Sequence, residues 1–399
     1  MTSCTSKTIR HVAANRCRQR LDFAVLGWLV GPAWRLQARE GDLQSTYGER
    51  RSTFLEEPKM RIPMSPAIRI IAIVLMLLVC AGAPLRAQET TLTYAFFAPA
   101  NTFPARQMAH WAEQINKRTN GKVQVRTFPG GTLLGARDMY DGVSKGVADI
   151  GLGSPSYDPG RFPLTAGIAL PLGFPNATVA SRVLWEVTKE FQPKEYENFK
   201  LIAMFTTEPG YIMSRRPVRN GADLAGMKLR AAGTGVPVLA ALGANPVGMA
   251  MPEVPQAVQT GVIDGGMTSR EVLKDFRLAE QLKFVTDYPT VVVAFAAVMD
   301  RKRWDRLPAD VKKVIDELAE EMPVWTGQYH DQENVGAALE WSRKEHRLQV
   351  VALSDAERKA WDGKLQPLVD NWIKEAAAKG LPAEQYIKRA RALRDRFAR

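Results

Sequence analysis

Cysteine is scarce in this 399-residue chain: Cys4, Cys17 and Cys80 are its three cysteines, and none follows residue 80. From Gln88 onward the absence of thiols excludes cysteine catalysis, thiolate metal sites and disulfide bonds. With 46% hydrophobic and 24% charged residues, a chain of this length can bury sizeable hydrophobic cores and needs no covalent cross-links.

Recognisable catalytic motifs are missing as well. His110, His330 and His346 are far apart on helical stretches, where a histidine is more often packed or exposed than a catalytic base. The segment 151–153 lacks the third glycine of a dinucleotide-binding fingerprint, and no phosphate-binding loop is present. A G-x-S-x-G pattern occurs at 142–146, but it lies at the end of a helical stretch and not at the strand-to-helix elbow that a catalytic serine needs. The histidine and acids of 330–333 do not converge on one metal ion. The sequence therefore predicts a protein that is not an enzyme and that needs no cofactor or metal.

Positive charge is concentrated near the amino terminus. Residues 1–87 hold 13 basic and 6 acidic side chains, a net of +7, so that +5 of the chain's +12 belongs to residues 88–399. This smaller excess suits the attraction of small anions and is too dilute to indicate nucleic-acid binding.

Residues 60–87 have the pattern of a secretory signal peptide. Arg61 and Arg69 form a basic region, Ile70–Ala83 is apolar, and cleavage is expected after Ala87. The apolar run is short for a membrane span, so a single anchoring helix is the weaker alternative. We therefore expect an exported, periplasmic protein.

Residues 1–59 precede that signal and show neither hydrophobic periodicity nor helix caps. Because a signal peptide begins a chain, we expect translation to start at Met60 or Met64 and 1–59 to be an untranslated upstream extension. The alternative, a basic arm for nucleic acid that uses arginines such as Arg16 and Arg50, would have no use in an exported protein.

Strand and helix patterns alternate through the rest of the chain. Thr91–Phe97, Val123–Phe128 and Ala148–Leu152 have the composition of strands, and the segments between them have helical spacing. Gly226–Gly266 predicts a compact unit of strand, helix, strand, helix and strand. Such alternation indicates an α/β fold with mainly parallel strands.

Arg230 lies at the end of the first strand of that unit. Ligands of open α/β sheets bind in the crevice outside the carboxyl ends of the strands, which places this arginine at a candidate site. Its planar guanidinium suits a carboxylate, to which it can donate two parallel hydrogen bonds. Spacing alone leaves an equal alternative, in which Arg230 only pairs with a neighbouring acid such as Asp264 or Glu253.

The same segment carries a family resemblance. Its motifs, in order, are Lys228-Leu229-Arg230, Ala241-Leu242-Gly243-Ala244-Asn245-Pro246, Glu253-Val254 and Gln259-Thr260-Gly261-Val262-Ile263-Asp264-Gly265. With these motifs the chain resembles TRAP-transporter solute receptors of the DctP family, over roughly Thr91–Arg399. The resemblance implies a two-domain periplasmic-binding-protein-like α/β fold with hinge strands and long C-terminal helices.

In function, the resemblance implies a periplasmic receptor that captures a small organic-acid anion and delivers it to the integral membrane permease of a TRAP transporter. One alternative is a sensory receptor of the same fold that serves a periplasmic sensor kinase. Another is a periplasmic enzyme, which the missing catalytic groups disfavour. Genomic neighbourhood would separate the first two, and the identity of the carboxylate does not follow from the sequence.

Domain boundaries are expected where the chain crosses between the two lobes. One crossing is predicted near Thr207, and the apolar run Thr290–Met299 is predicted to return to the first domain. The first domain would then comprise 88–207 with about 294–335, and the second 208–293 with about 336–399.

The resemblance also assigns site residues, with Arg230 as the carboxylate clamp. Thr268 stands where many relatives have asparagine, and Ser154 stands where sialic-acid receptors have an acid. At Phe97, Tyr157 and Met251 the equivalent positions of relatives are aromatic or apolar, and the alternative is that each of these residues belongs to the core. The sialic-acid receptors also have a second arginine, at about the position of Gly210, and this chain lacks that arginine. We therefore predict one firm anionic clamp and a ligand smaller and flatter than a sugar acid.

Overall fold

The computed structural model describes residues 65–67 and 89–399. The predicted signal peptide, its cleavage after Ala87 and the upstream extension 1–59 lie outside the described residues, apart from the three at 65–67. Within the described part of the chain, no helix is long and apolar enough to cross a membrane.

The first of two sheets has the strand order β2-β1-β3-β10-β4. Its strands are β1 (Thr90–Phe96), β2 (Val123–Phe128), β3 (Ile150–Gly153), β4 (Phe199–Thr206) and β10 (Ala294–Asp300). β1 pairs in parallel with β2 and β3, whereas β10 runs antiparallel between β3 and β4. β10 enters from the other sheet, so the first sheet includes a strand that is remote in sequence from its neighbours.

The second sheet has the order β11-β9-β5-β8-β6-β7. Its strands are β5 (Tyr211–Ser214), β6 (Lys228–Ala231), β7 (Asn245–Gly248), β8 (Gly265–Thr268), β9 (Phe284–Asp287) and β11 (Gln349–Ala352). β6 lies between β7 and β8, parallel to both. A central strand therefore carries Arg230. The α/β fold with two sheet-centred lobes is confirmed.

Eleven α-helices occur in residues 89–399. They are α1 (Phe103–Arg118), α2 (Met139–Ser144), α3 (Ala177–Phe191), α4 (Gly235–Leu242), α5 (Val254–Gln259), α6 (Val272–Asp275), α7 (Arg301–Asp305), α8 (Ala309–Tyr329), α9 (Val335–His346), α10 (Asp355–Ala378) and α11 (Ala383–Phe397). A π-helical turn, His330–Asn334, joins α8 to α9. Local sequence fixes several ends: the Asn176 side chain caps α3, and the Ser354 side chain caps α10.

Two segments connect the sheets side by side. Thr207 donates its backbone N–H to the Val293 carbonyl at 3.0 Å, and its hydroxyl accepts the Val293 N–H at 3.0 Å. Three residues further on, Gly210 donates to the Val291 carbonyl at 2.8 Å. The crossings at 207–210 and 288–293 are thus hydrogen-bonded to each other.

The last helix, α11, packs against α3, which covers the first sheet. Its apolar face contributes Tyr386, Ile387, Ala390 and Leu393 to a core that also contains residues of α3 and β10. The sequence division assigned about 336–399 to the second domain, yet this helix contacts the first lobe. Helical periodicity identified the buried face but could not indicate which lobe it covers.

Candidate functional site

A small cavity of about 40 Å³ lies between the two lobes. Five of the six predicted site residues line it, namely Phe97, Tyr157, Arg230, Met251 and Thr268. They come from both lobes and from separate loops, so the fold brings together residues up to 171 positions apart, from 97 to 268. This convergence makes the cavity the candidate binding site.

Arg230 is the only basic residue among the described residues that line this cavity, and its side chain is 2% exposed. Its Nε donates to the Met249 carbonyl at 2.9 Å, and its Nη2 lies 3.4 Å from the Tyr157 hydroxyl. These contacts fix the plane of the guanidinium. Within residues 89–399 no carboxylate lies within salt-bridge distance of it, so it is a buried cation without a counterion.

The two acids considered as structural partners of Arg230 are engaged elsewhere. Asp264 accepts the backbone N–H of Lys228 at 2.8 Å. Glu253 lies 3.7 Å from Arg137. The alternative in which Arg230 pairs with either acid is therefore wrong. A buried charge without a partner is costly, and an anion entering the cavity would remove that cost.

Glycines of the neighbouring strand make room for the arginine. Gly266 is paired with Arg230, and a Cβ at this glycine would lie 3.3 Å from the arginine's carbonyl oxygen and 3.4 Å from its Cβ. A Cβ at Gly265 would collide with the Met213 carbonyl oxygen at 2.1 Å. Gly266 therefore has a steric role in seating Arg230, and Gly265 allows β8 to approach β5.

Tyr157 connects the lobes across the cavity. It lies in a 3₁₀ turn, Pro155–Tyr157, just after β3, and its hydroxyl accepts the backbone N–H of Met251 at 3.1 Å. The same hydroxyl lies beside Arg230, and the ring meets that of Phe97 edge-on at 5.4 Å. Tyr157 thus orients the arginine and brings the second lobe against the first.

Aromatic rings form one side of the cavity. Phe97 and Phe295 are nearly parallel, with centroids 6.4 Å apart and planes at 18°. Phe103 meets Phe295 edge-on at 6.0 Å. Phe96 and Phe276 also line the cavity. Of these rings only Phe97 was identified from the sequence. Phe96 directly precedes it at the end of β1, whereas Phe103, Phe276 and Phe295 lie on elements that only the fold brings together.

Ser154 is the one predicted site residue that the structure does not bring into the cavity. It is 0% exposed, and its hydroxyl donates to the Ala294 carbonyl at 3.0 Å. The hydroxyl thus serves the junction of β3 with β10. The loop after β3 does reach the cavity, but through Tyr157, three residues further on, and not through Ser154 itself.

Two acids that sequence reasoning missed also line the cavity, Glu271 and Asp275. Burial raises the pKa of Glu271 well above its ordinary value, and the nearby charge of Asp275 adds to the effect. Burial raises the pKa of Asp275 to about 6, against the opposing hydrogen bond from Asn334. The only signal for them was their place a few residues after β8, at the carboxyl edge of the sheet.

A larger cavity of about 420 Å³ adjoins the first and shares Tyr157. Here a loop of the first lobe faces the loop after β6, and the Thr234 hydroxyl donates to the Ala169 carbonyl. Gly233 has φ +50°, and a Cβ there would lie 2.9 Å from the Cβ of Ser156. Only glycine allows so close an approach of the two lobes at this point.

Comparison with known proteins gives the site a context. Residues 94–375 match the family model described as bacterial extracellular solute-binding protein, family 7. A TRAP periplasmic solute-binding protein from Desulfovibrio salexigens, solved as an open complex, is 44% identical with a TM-score of 0.70. That match covers 77% of this chain and 97% of the other.

Two other similar structures hold aromatic acids. A TRAP solute-binding protein from Rhodoferax ferrireducens, in complex with copurified benzoate, is 26% identical with a TM-score of 0.74, over 77% of this chain and 98% of that one. A protein from an unidentified marine microbe, specific for aromatic acid ligands and in complex with 3-hydroxybenzoate, is 28% identical with a TM-score of 0.74, over 78% and 100%.

Proposed function

This chain belongs to family 7 of the bacterial extracellular solute-binding proteins and is a solute receptor of the TRAP-transporter type, and from that premise we propose that it binds a small aromatic monocarboxylate on Arg230. It is a transport receptor and not an enzyme. The observation that carries the proposal is the buried guanidinium, which faces the cavity without a carboxylate partner in residues 89–399.

The charge of the cavity favours a single carboxylate. A charge-assisted pair of hydrogen bonds to Arg230 would satisfy the cation in a water-poor site, where such bonds are strong. Arg270, a nearby cation, is already held by Glu208 through two hydrogen bonds of 2.9 and 2.6 Å. A second carboxylate on the ligand would meet Asp275, and among the described lining residues it would find no second basic side chain.

The shape of the cavity favours a flat ligand. Phe97 and Phe295 offer nearly parallel ring faces, and an aromatic ring gains from offset or edge-on contacts with such rings. Relatives at 26% and 28% identity bind benzoate and 3-hydroxybenzoate, which have this combination of one carboxylate and one ring. Both features support an aromatic acid over a sugar acid.

Capture would proceed by closure of the lobes about the paired crossings at 207–210 and 288–293. Hinges of this kind are a few residues that absorb the rotation of two otherwise rigid bodies. The contacts of Tyr157 with Met251 and of Thr234 with Ala169 join the lobes, so closure would form them and opening would break them. Domain boundaries at these crossings are part of the proposal.

The proposal also covers export of the protein and its transport partner. The segment 60–87 would direct the chain to the periplasm and be removed near Ala87, and the closed receptor would deliver its ligand to the membrane permease of its transporter. A sensor kinase as partner has no support in the proteins to which the chain is similar.

Thermal-shift measurements with benzoate, succinate and galactonate test the proposed ligand class. A ligand at 100 times its Kd stabilises a protein by about 2.7 kcal/mol, which is easily detected. Benzoate is expected to raise the melting temperature most. A larger shift with succinate or galactonate would contradict the proposal.

A further inference from the structure

Glu271 lines the cavity with an unsatisfied oxygen. Its Oε1 accepts the Ser269 hydroxyl at 2.7 Å. Its Oε2 is buried and has no hydrogen-bond partner among the described residues, and the residue as a whole is only 4% exposed. Buried polar atoms are nearly always paired, so an orphaned oxygen in the wall of a ligand cavity indicates a missing partner.

His330 has a polar atom near this oxygen that is not bonded to it. His330 Nε2 lies 3.7 Å from Oε2, beyond hydrogen-bond length, and it too is unpaired among the described residues. The Nδ1 of His330 lies 3.1 Å from Asn334 Oδ1, and the amide nitrogen of Asn334 faces Asp275 at 3.5 Å. This orientation assigns the imidazole proton to Nδ1, which leaves Nε2 as a bare acceptor.

Protonation states follow from burial. Desolvation raises the pKa of Glu271 well above its ordinary value and lowers that of His330 to about 4, so burial favours the neutral form of both side chains. A neutral carboxyl group has one O–H to donate, and the bond from Ser269 leaves Oε2 as the oxygen that carries it. In the neutral form of Glu271 the Oε2 group can therefore donate a hydrogen bond, and in either form this oxygen can accept one.

We propose that Glu271 is a specificity-determining residue, whose Oε2 hydrogen-bonds a neutral oxygen, such as a ring hydroxyl, on the acid that Arg230 holds. The ligand class narrows to hydroxy-substituted aromatic monocarboxylates. This inference rests on the proposed function, since it assumes a carboxylate on Arg230. A hydroxyl fits better than a second carboxylate because Asp275 lines the same end of the cavity and repels negative charge.

Calorimetric titration of the wild-type protein provides the first test. The probes are benzoate, the three hydroxybenzoate isomers and the three methylbenzoate isomers, because methyl and hydroxyl groups are similar in size and only the hydroxyl forms hydrogen bonds. At one ring position the hydroxyl compound is expected to bind about tenfold more tightly than the methyl compound, as one hydrogen bond would give. Equal affinities at all three positions would overturn the inference.

Variants of Glu271 provide the second test. Glu271→Leu is expected to reduce the hydroxyl-to-methyl affinity ratio to about one, whereas Glu271→Gln, which keeps an N–H donor, retains part of it. Glu197→Gln, which removes an exposed acid, is the control and leaves the ratio unchanged. A ratio that survives in Glu271→Leu would refute the role of this residue.

The two proposals fail in different ways. If neither benzoate nor any substituted benzoate binds, the proposed function itself is wrong and this inference falls with it. If benzoates bind through Arg230 without a hydroxyl preference, only the role of Glu271 is refuted. A preference that depends on Glu271 supports both.

Discussion

Substitution of Arg230 by lysine tests the carboxylate clamp most sharply. Lysine keeps the charge but replaces a planar fork, held by Met249 and Tyr157, with a flexible stem that ends in a point donor. A bidentate contact would then become at most one hydrogen bond. Loss of one charge-assisted bond costs about 1.5 to 3 kcal/mol, so the Kd for benzoate should rise roughly 10- to 150-fold.

The assay is calorimetric titration beside melting curves of the ligand-free protein. Arg219→Lys, at an exposed position in the same lobe, is the matched control and should change neither measurement. If Arg230 has only a structural role, Arg230→Lys lowers the melting temperature and leaves the Kd for benzoate unchanged. That result would refute the assignment of the clamp.

Three further predictions concern closure, protonation and export. Gly233→Ala should weaken ligand binding about tenfold, because the added Cβ meets Ser156. Gly226→Ala, at φ +76° with open space around it, should not weaken binding. Equal Kd values for the two variants would exclude a steric role of position 233 in ligand binding. The raised pKa of Asp275, about 6, favours its protonated form in the folded protein, so this contribution to stability is present below about pH 4 and is lost as pH rises through 6. Between pH 4 and 7.5 the melting temperature should therefore fall more steeply with rising pH in the wild type than in Asp275→Asn. Identical slopes would contradict the raised pKa of Asp275. N-terminal sequencing should show that the exported protein begins near Gln88. A chain that begins at Met1 would contradict the predicted signal peptide.

The sequence identified Arg230 as the candidate clamp because its signal is local. A short apolar strand ending in Arg230, followed by a glycine-broken turn, identifies a strand end, and strand ends in α/β sheets face ligands. The long C-terminal helices that the resemblance implies are observed at Asp355–Ala378 and Ala383–Phe397.

The remainder of the site depends on contacts that no local pattern encodes. Phe295 reaches the cavity because β10 returns to the first sheet and pairs antiparallel with β3 and β4. Glu271 becomes buried only when α6 meets the first lobe, and its isolated position in the sequence resembles that of any surface acid. Ser154 illustrates the converse, since a strand-end serine can bond to a backbone carbonyl of a neighbouring strand that the sequence does not reveal.

The central claim is that Arg230 holds one aromatic monocarboxylate between the lobes. Native mass spectrometry of protein purified without refolding measures this directly through any ligand that copurifies. We predict a single adduct with the mass of an aromatic monocarboxylic acid in the wild type, and its loss in Arg230→Lys purified in the same way. A dicarboxylate or sugar-acid adduct, or an aromatic acid retained equally by both proteins, would contradict the claim.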